Sequence, residues 1–342
     1  AWHRQSCLCH KDVPLSTAPL ARHTGFMDLI SRIRNRKTRA VARALTLVEN
    51  ADETFLTVLD AEFAQLPRPE RIGITGPPGS GKSTLTSALV GELRRHGKRV
   101  GVVAVDPSSP FSGGALLGDR LRMTEHSLDP DVFVRSMASR GRFGGLAIGS
   151  EDACDVLALA GFDPIIVETV GVGQSEVDIA RLADTTVVVL TPSAGDTVQA
   201  LKAGIMEIAE VVAINKADRD GAERLEEDIR EGMELRPHPP EGAPMWQPPV
   251  VRTIATEGTG AAELIASIAA HRAFLTGNGL LEGVRQKRAG SRLTDLAGAA
   301  LLNALQHGDR AKALFEAAQG QVQSGARSPR AAVKDLMKQL AL

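Results

Sequence analysis

The chain has 342 residues, with 40 Lys+Arg against 41 Asp+Glu, three cysteines and no tyrosine. A net charge of −1 argues against a dedicated nucleic-acid binder, and three cysteines argue against a disulfide framework and fit a reducing, cytoplasmic setting. No apolar run approaches the roughly 18 residues of a membrane span, and none resembles a signal-peptide h-region, so an α/β protein with ample core is expected.

Residues 1–27 read as a disordered tail or a non-native remnant: Pro14 and Pro19 sit among scattered polar residues, the chain does not open on Met, and Met27 precedes a clean helical pattern. From 28 to 49 the apolar residues Leu29, Ile30, Ile33, Val41, Ala44, Leu45 and Val48 fall near helical spacing, which predicts one helix with a basic, solvated face from Arg32 to Arg43. A second helix is expected over 52–66, ended by Pro67 and Pro69.

From Arg71 the texture changes. Short β-branched strands are expected at 71–75, 99–105, 132–135, 164–168, 185–190, 211–214 and 250–254, alternating with helices near 83–96, 151–160, 176–182, 198–208, 222–232 and 261–274. That alternation means a mostly parallel sheet covered by helices on both faces. Beyond Gly277 the sequence is Ala-rich and strandless, with helices expected over 281–319 and 329–342. The division expected is an N-terminal helical extension (28–70), an α/β domain (71–276) and a C-terminal helical arm (277–342).

The sequence Gly76, Pro77, Pro78, Gly79, Ser80, Gly81, Lys82, Ser83 satisfies G-x-x-x-x-G-K-[ST], between an expected strand and a helix whose first turn continues with Thr84. Glycines let successive backbone N–H groups curl toward phosphate oxygens, and the helix N-terminus adds partial positive charge. Lys82 can reach the β- and γ-phosphates and the Ser83 hydroxyl can ligate Mg²⁺.

Asn215, Lys216, Ala217 and Asp218 follow a strand and match N-K-x-D. Guanine offers N1–H and N2–H₂ on one edge, and a carboxylate accepts both; adenine offers a lone pair there, which repels Asp218. Asn215 can bond the opposite edge and the P-loop, and the Lys216 stem can lie along the base or ribose. A third contact is expected from the Ala255 N–H to guanine O6.

Carboxylates at the C-terminal ends of parallel strands stand where such sheets bind ligands. Asp106 is a candidate for holding Mg²⁺ or the attacking water, and Asp119 is a second candidate metal ligand. Glu168-Thr-Val-Gly171 resembles a D-x-x-G switch with Glu in place of Asp; Gly171 would contact the γ-phosphate and Glu168 a Mg²⁺-bound water. Val172 follows, so the water-positioning Gln of Ras-like enzymes is missing from that position, Gln174 lies three residues beyond Gly171, and slow intrinsic hydrolysis accelerated by a partner is expected.

Together these runs closely resemble the MeaB/ArgK-type P-loop GTPases, chaperones of adenosylcobalamin-dependent methylmalonyl-CoA mutase and related acyl-CoA mutases. The resemblance spans roughly 28–275. It rests on 76–83, 106–120 (DPSSPFSGGALLGDR), 135–141 (RSMASRG), 168–176 (ETVGVGQSE), Gly195-Asp196, 204–207 (GIME) and 215–218. It implies a parallel-sheet G domain with helical extensions, the C-terminal one a homodimerisation arm, and GTP/GDP and Mg²⁺ as ligands. It also implies Asp106, Asp119 and Glu168 as metal and hydrolysis acids. The segment 193–202, with Asp196 and Lys202, would be a switch coupling nucleotide state to the mutase, whose cobalamin loading and rescue the protein would gate. Arg142-Phe143 and Thr197-Val198 depart from the pattern in segments expected to face the partner.

Three other readings compete. A GTP-dependent nickel-enzyme maturation factor would need a Cys/His site, and the one such cluster is Cys7-Leu-Cys9-His10. A transport-system kinase or ATPase is disfavoured by N-K-x-D, and a non-catalytic nucleotide-gated scaffold would not need Asp106 or Glu168. Cys154, on an apolar helical face with Val156, Leu157 and Leu159, is expected in the core.

Overall fold

The computed structural model describes residues 18–106, 124–126, 128–138, 145–169, 175–192, 205–234, 236, 240 and 242–340. Seven strands form one sheet: β1 (Arg71–Thr75), β2 (Val100–Asp106), β3 (Val132–Ala138), β4 (Ile165–Thr169), β5 (Thr185–Leu190), β6 (Val211–Asn215) and β7 (Val250–Thr253). Their order is β3-β2-β4-β1-β5-β6-β7, and every pairing is parallel. The strands β1, β4, β5 and β6 are buried along their whole length, which is why apolar and β-branched residues dominate them, with Arg71, Glu168 and Asn215 as polar exceptions at or near their ends.

Eleven helices are described: α1 (Ala18–Arg34), α2 (Thr38–Glu49), α3 (Glu53–Ala61), α4 (Lys82–Arg95), α5 (Gly145–Leu159), α6 (Ser175–Leu182), α7 (Ala222–Glu234), α8 (Ala261–Gly277), α9 (Leu281–His307), α10 (Asp309–Gln323) and α11 (Pro329–Leu340). On one face Leu85, Leu89 and Val90 of α4 and Leu264 and Ile268 of α8 pack on Ile72, Ile74, Ile166 and Val187. On the other, Val156 and Leu157 of α5 and Ile179 of α6 pack on Ile165 and Val167. The second layer continues outward into Phe26, Ile30 and Ile33 of α1, Leu45 of α2 and Phe55 of α3, so the N-terminal helices share this core. Cys154 lies in it as expected, and burial pushes its thiol up to about 12.

Two expected helices are each two. The helix expected over 28–49 begins earlier, at Ala18, and breaks after Arg34, where Arg36 takes a left-handed conformation (φ 59°). The break falls in the polar run 34–39, and it lets Ile33 and then Val41, Ala44 and Leu45 face the same core. The helix expected over 281–319 breaks at Gly308, which is extended (φ −77°, ψ 122°).

Arg71, the first residue of β1, is buried and ion-paired with Glu151 and, at 2.9 Å, with Asp155 on α5. Removing one member of a buried ion pair costs about 3–5 kcal/mol, because the remaining charges keep their desolvation cost without a counter-charge. Arg71→Met is therefore expected to lower unfolding free energy by an amount in that range, read from urea denaturation.

Candidate functional site

The site forms at the C-terminal edge of the sheet, around central β1. Thr75 leads into a loop whose glycines are required by backbone and space together. Gly76 has φ 143°, and a Cβ on it would stand 2.2 Å from the Val189 carbonyl oxygen of β5. Gly81 has φ 87°, and a Cβ there would stand 2.4 Å from Asn215 Nδ2. Both conditions admit only glycine. Gly81 caps α4 without any side-chain hydrogen bond, so the first-turn N–H groups of Lys82, Ser83 and Thr84 face outward at the positive end of the helix.

Lys82 is buried and its Nζ donates to Gly76 O (2.8 Å) and Pro77 O (3.0 Å), so its ammonium stands inside the loop's curve. Ser83 Oγ donates to Glu168 Oε1 at 2.6 Å. Glu168 sits on β4 beside Ile74 of β1, on the face that α4 covers, which brings the expected hydroxyl and carboxylate together. A hydroxyl and a carboxylate at a helix N-terminus are hard oxygen donors, and they fit Mg²⁺.

Asn215 closes the other side. Its Nδ2 donates to Ser80 O (2.8 Å), while its Oδ1 accepts from Ala255 N (3.1 Å) and Thr253 Oγ1 (3.3 Å). Lys216, left-handed at φ 59°, sends its Nζ to Gly79 O (2.8 Å). The N-K-x-D turn is thus fastened to the phosphate loop by two side chains, and Asp218 is left exposed beside it. The Ala255 N–H, expected to meet guanine O6, stands at this site and donates to Asn215 Oδ1, because the turn after β7 passes over the Asn215 carboxamide. Thr253 escaped the sequence reading; its position at the end of the last strand was the available signal.

Asp106 closes β2 at this same edge, between β3 and β4, but its side chain lies outside the described residues. Asp119, Gly171, Gln174, Asp196 and Lys202 lie outside them as well, as do Cys7, Cys9, His10, Arg142, Phe143, Thr197 and Val198. Among the described residues no group of three or more His, Cys, Asp or Glu is placed to hold a metal ion, and no helix is long and apolar enough to cross a membrane.

Known proteins supply independent evidence. The family pattern described as methylmalonyl Co-A mutase-associated GTPase MeaB matches residues 41–310. That match starts later than the expected resemblance and runs further, through α9. A putative GTPase of Pyrococcus abyssi is 49% identical over 261 residues, covering 76% of this chain and 80% of that protein. The GTPase ArgK of Escherichia coli is 35% identical over 274 residues, covering 77% and 80%. A mouse protein named methylmalonic aciduria type A homolog, mitochondrial, is 38% identical over 219 residues, 63% of this chain and 52% of its own length. A solved structure titled LAO/AO transport system kinase superimposes with a TM-score of 0.68 at 27% identity, covering 96% of this chain and all of that one. With its phosphate loop, its guanine-type turn and a match over most of its length, the chain belongs to the MeaB family of P-loop GTPases.

Proposed function

We propose that this GTPase serves an adenosylcobalamin-dependent acyl-CoA mutase, gating cofactor loading and protecting or reactivating the mutase. The observation that carries the nucleotide half is the fastening of Asn215 and Lys216 to the P-loop carbonyls of Ser80 and Gly79, which holds base reader and phosphate reader at a fixed separation. The mutase half is supported by the family's description and by the name of the mouse relative.

In this reading the amides of 79–83 receive the β- and γ-phosphates, with Thr84 in the same turn, and Lys82 exchanges its loop carbonyls for phosphate oxygens. Pro77 and Pro78 shape the loop. Ser83 and Glu168 would hold Mg²⁺, with Asp106 and Asp119 as further acids and Gly171 at the γ-phosphate; an ion bound there would neutralise negative charge on the phosphate oxygens. In hydrolysis a water oxygen bonds to the γ-phosphorus, the bond to the β–γ bridging oxygen breaks, and GDP leaves with that electron pair while the water proton passes to phosphate. Asp218 selects guanine. Gln174, Asp196 and Lys202 belong to segments that carry nucleotide state to the mutase, and the C-terminal arm joins a homodimer. Val172 follows Gly171 where Ras-like enzymes carry their Gln, so hydrolysis by the isolated protein is slow and the mutase accelerates it.

Glu168→Gln is expected to lower single-turnover GTP hydrolysis by about 10²–10³-fold, with GDP affinity little changed. Asp218→Asn is expected to weaken GTP binding by about 10²-fold or more while improving xanthosine triphosphate, whose C2 carbonyl accepts from the new amide; competition for a labelled guanine nucleotide reads both. Capture of methylmalonyl-CoA mutase by the full chain with a non-hydrolysable GTP analogue, and faster GTP turnover on adding that mutase, test the partner. Failure to capture any acyl-CoA mutase of this class contradicts it.

A further inference from the structure

A second set of buried charges lies at the opposite end of the sheet from the phosphates. On α9 the arginines Arg285, Arg288 and Arg292 recur at i, i+3 and i+7, on one helix face. Arg292 forks across α5, with Nη1 on Asp155 Oδ2 and Nη2 on Asp152 Oδ1, both at 2.6 Å. Arg288 bonds Asp184 Oδ1 at 2.9 Å, and Arg285 stands 3.6 Å from Asp184 Oδ2. Asp184 stands two residues beyond the end of α6 and accepts the Arg71 backbone N–H (3.1 Å), while Asp155 pairs with the Arg71 guanidinium. No residue of α9 is buried, and Leu293 is 70% exposed. This helix is therefore seated by directional ion pairs rather than by an apolar stripe. Burial pushes the Asp152 carboxyl up to about 6, and the neighbouring Arg292 pulls it the other way.

The two elements that α9 grips are those the nucleotide site adjoins. The helix α6 follows Glu168 and Thr169 in the chain within a few residues, and α5 follows β3, whose neighbour β2 ends in Asp106. The packing beneath them is tight: a Cβ on Gly73 of β1 would stand 2.5 Å from Ile179 Cγ2 of α6. Arg288 Nη1 also lies 3.4 Å from the carbonyl oxygen of Leu182, the last residue of α6, so the arginine comb ties α5 to the end of α6 and a displacement of one against the other would strain it.

We propose that the arginine comb of α9 reads the nucleotide state: GTP and GDP set different spacings between α5 and α6, and α9 with the arm it leads is repositioned to keep its ion pairs. By reciprocity, a partner that grips the arm changes nucleotide affinity. The proposal rests on Glu168 standing at the nucleotide, so nucleotide binding is measured in the same samples.

The test is hydrogen–deuterium exchange of residues 281–307 in the full chain, with GDP against a non-hydrolysable GTP analogue. An exchange rate that differs by about fivefold or more between the two states is expected in the native protein. In Arg288→Gln/Arg292→Gln the difference disappears while the affinity for each nucleotide stays within about twofold. Arg292→Lys, which keeps the charge and loses the fork, gives an intermediate difference and separates loss of reading from loss of fold. Equal exchange in the native protein with both nucleotides bound, or a difference that survives in the double variant, overturns the proposal. Failure of the native protein to bind either nucleotide overturns the site assignment, and the proposal with it.

Discussion

The Asn215 carboxamide is the contact on which the nucleotide end depends. It spans three segments far apart in sequence: the P-loop through Ser80 O, its own turn after β6, and the turn after β7 through Ala255 N. A buried carboxamide satisfied on both sides tolerates little displacement, since each lost bond leaves a buried donor or acceptor unpaired at about 1–3 kcal/mol. Its closeness to Gly81 explains why the P-loop admits no side chain there. A loop that is mostly backbone thus acquires a fixed shape from a side chain more than a hundred residues away.

The all-parallel sheet gives the chain two ends with different chemistry. At the C-terminal edge, the backbone amides of the P-loop, Lys82 and the Ser83–Glu168 pair gather at the proposed phosphate site. At the N-terminal edge, Arg71, Asp184, Asp155 and the arginines of α9 form a closed ionic network. β1 joins them: Arg71 begins it and Thr75 ends it at the phosphate loop. The near-zero net charge of the chain is a sum of unlike parts, since residues 285–342 hold ten Lys/Arg against four Asp/Glu, and part of that surplus is matched by acids of α5 and by Asp184.

The strands and the two nucleotide motifs were legible because their signals are local: β-branched runs, a glycine pattern between strand and helix, and an N-K-x-D after a strand. The break near Arg36 was visible only as a polar gap between two apolar sets in correct helical phase. The bond from Ala255 to Asn215 was not legible because a backbone N–H carries no sign of its partner. The arginines of α9 carried no local sign of their partners; their carboxylates stand some hundred residues away, and no window of sequence contains both. Asp106 was legible from its place at a strand end and Asp119 rests on resemblance; the side chain of the first and the whole of the second lie outside the described residues.

GDP affinity of Asn215→Ala bears most directly on whether this side chain holds base reader and phosphate loop together. Titration against the native chain is expected to show binding weakened by about 100-fold, with thermal unfolding shifted by only a few degrees. Affinity within about threefold of the native value, in a folded variant, would contradict it.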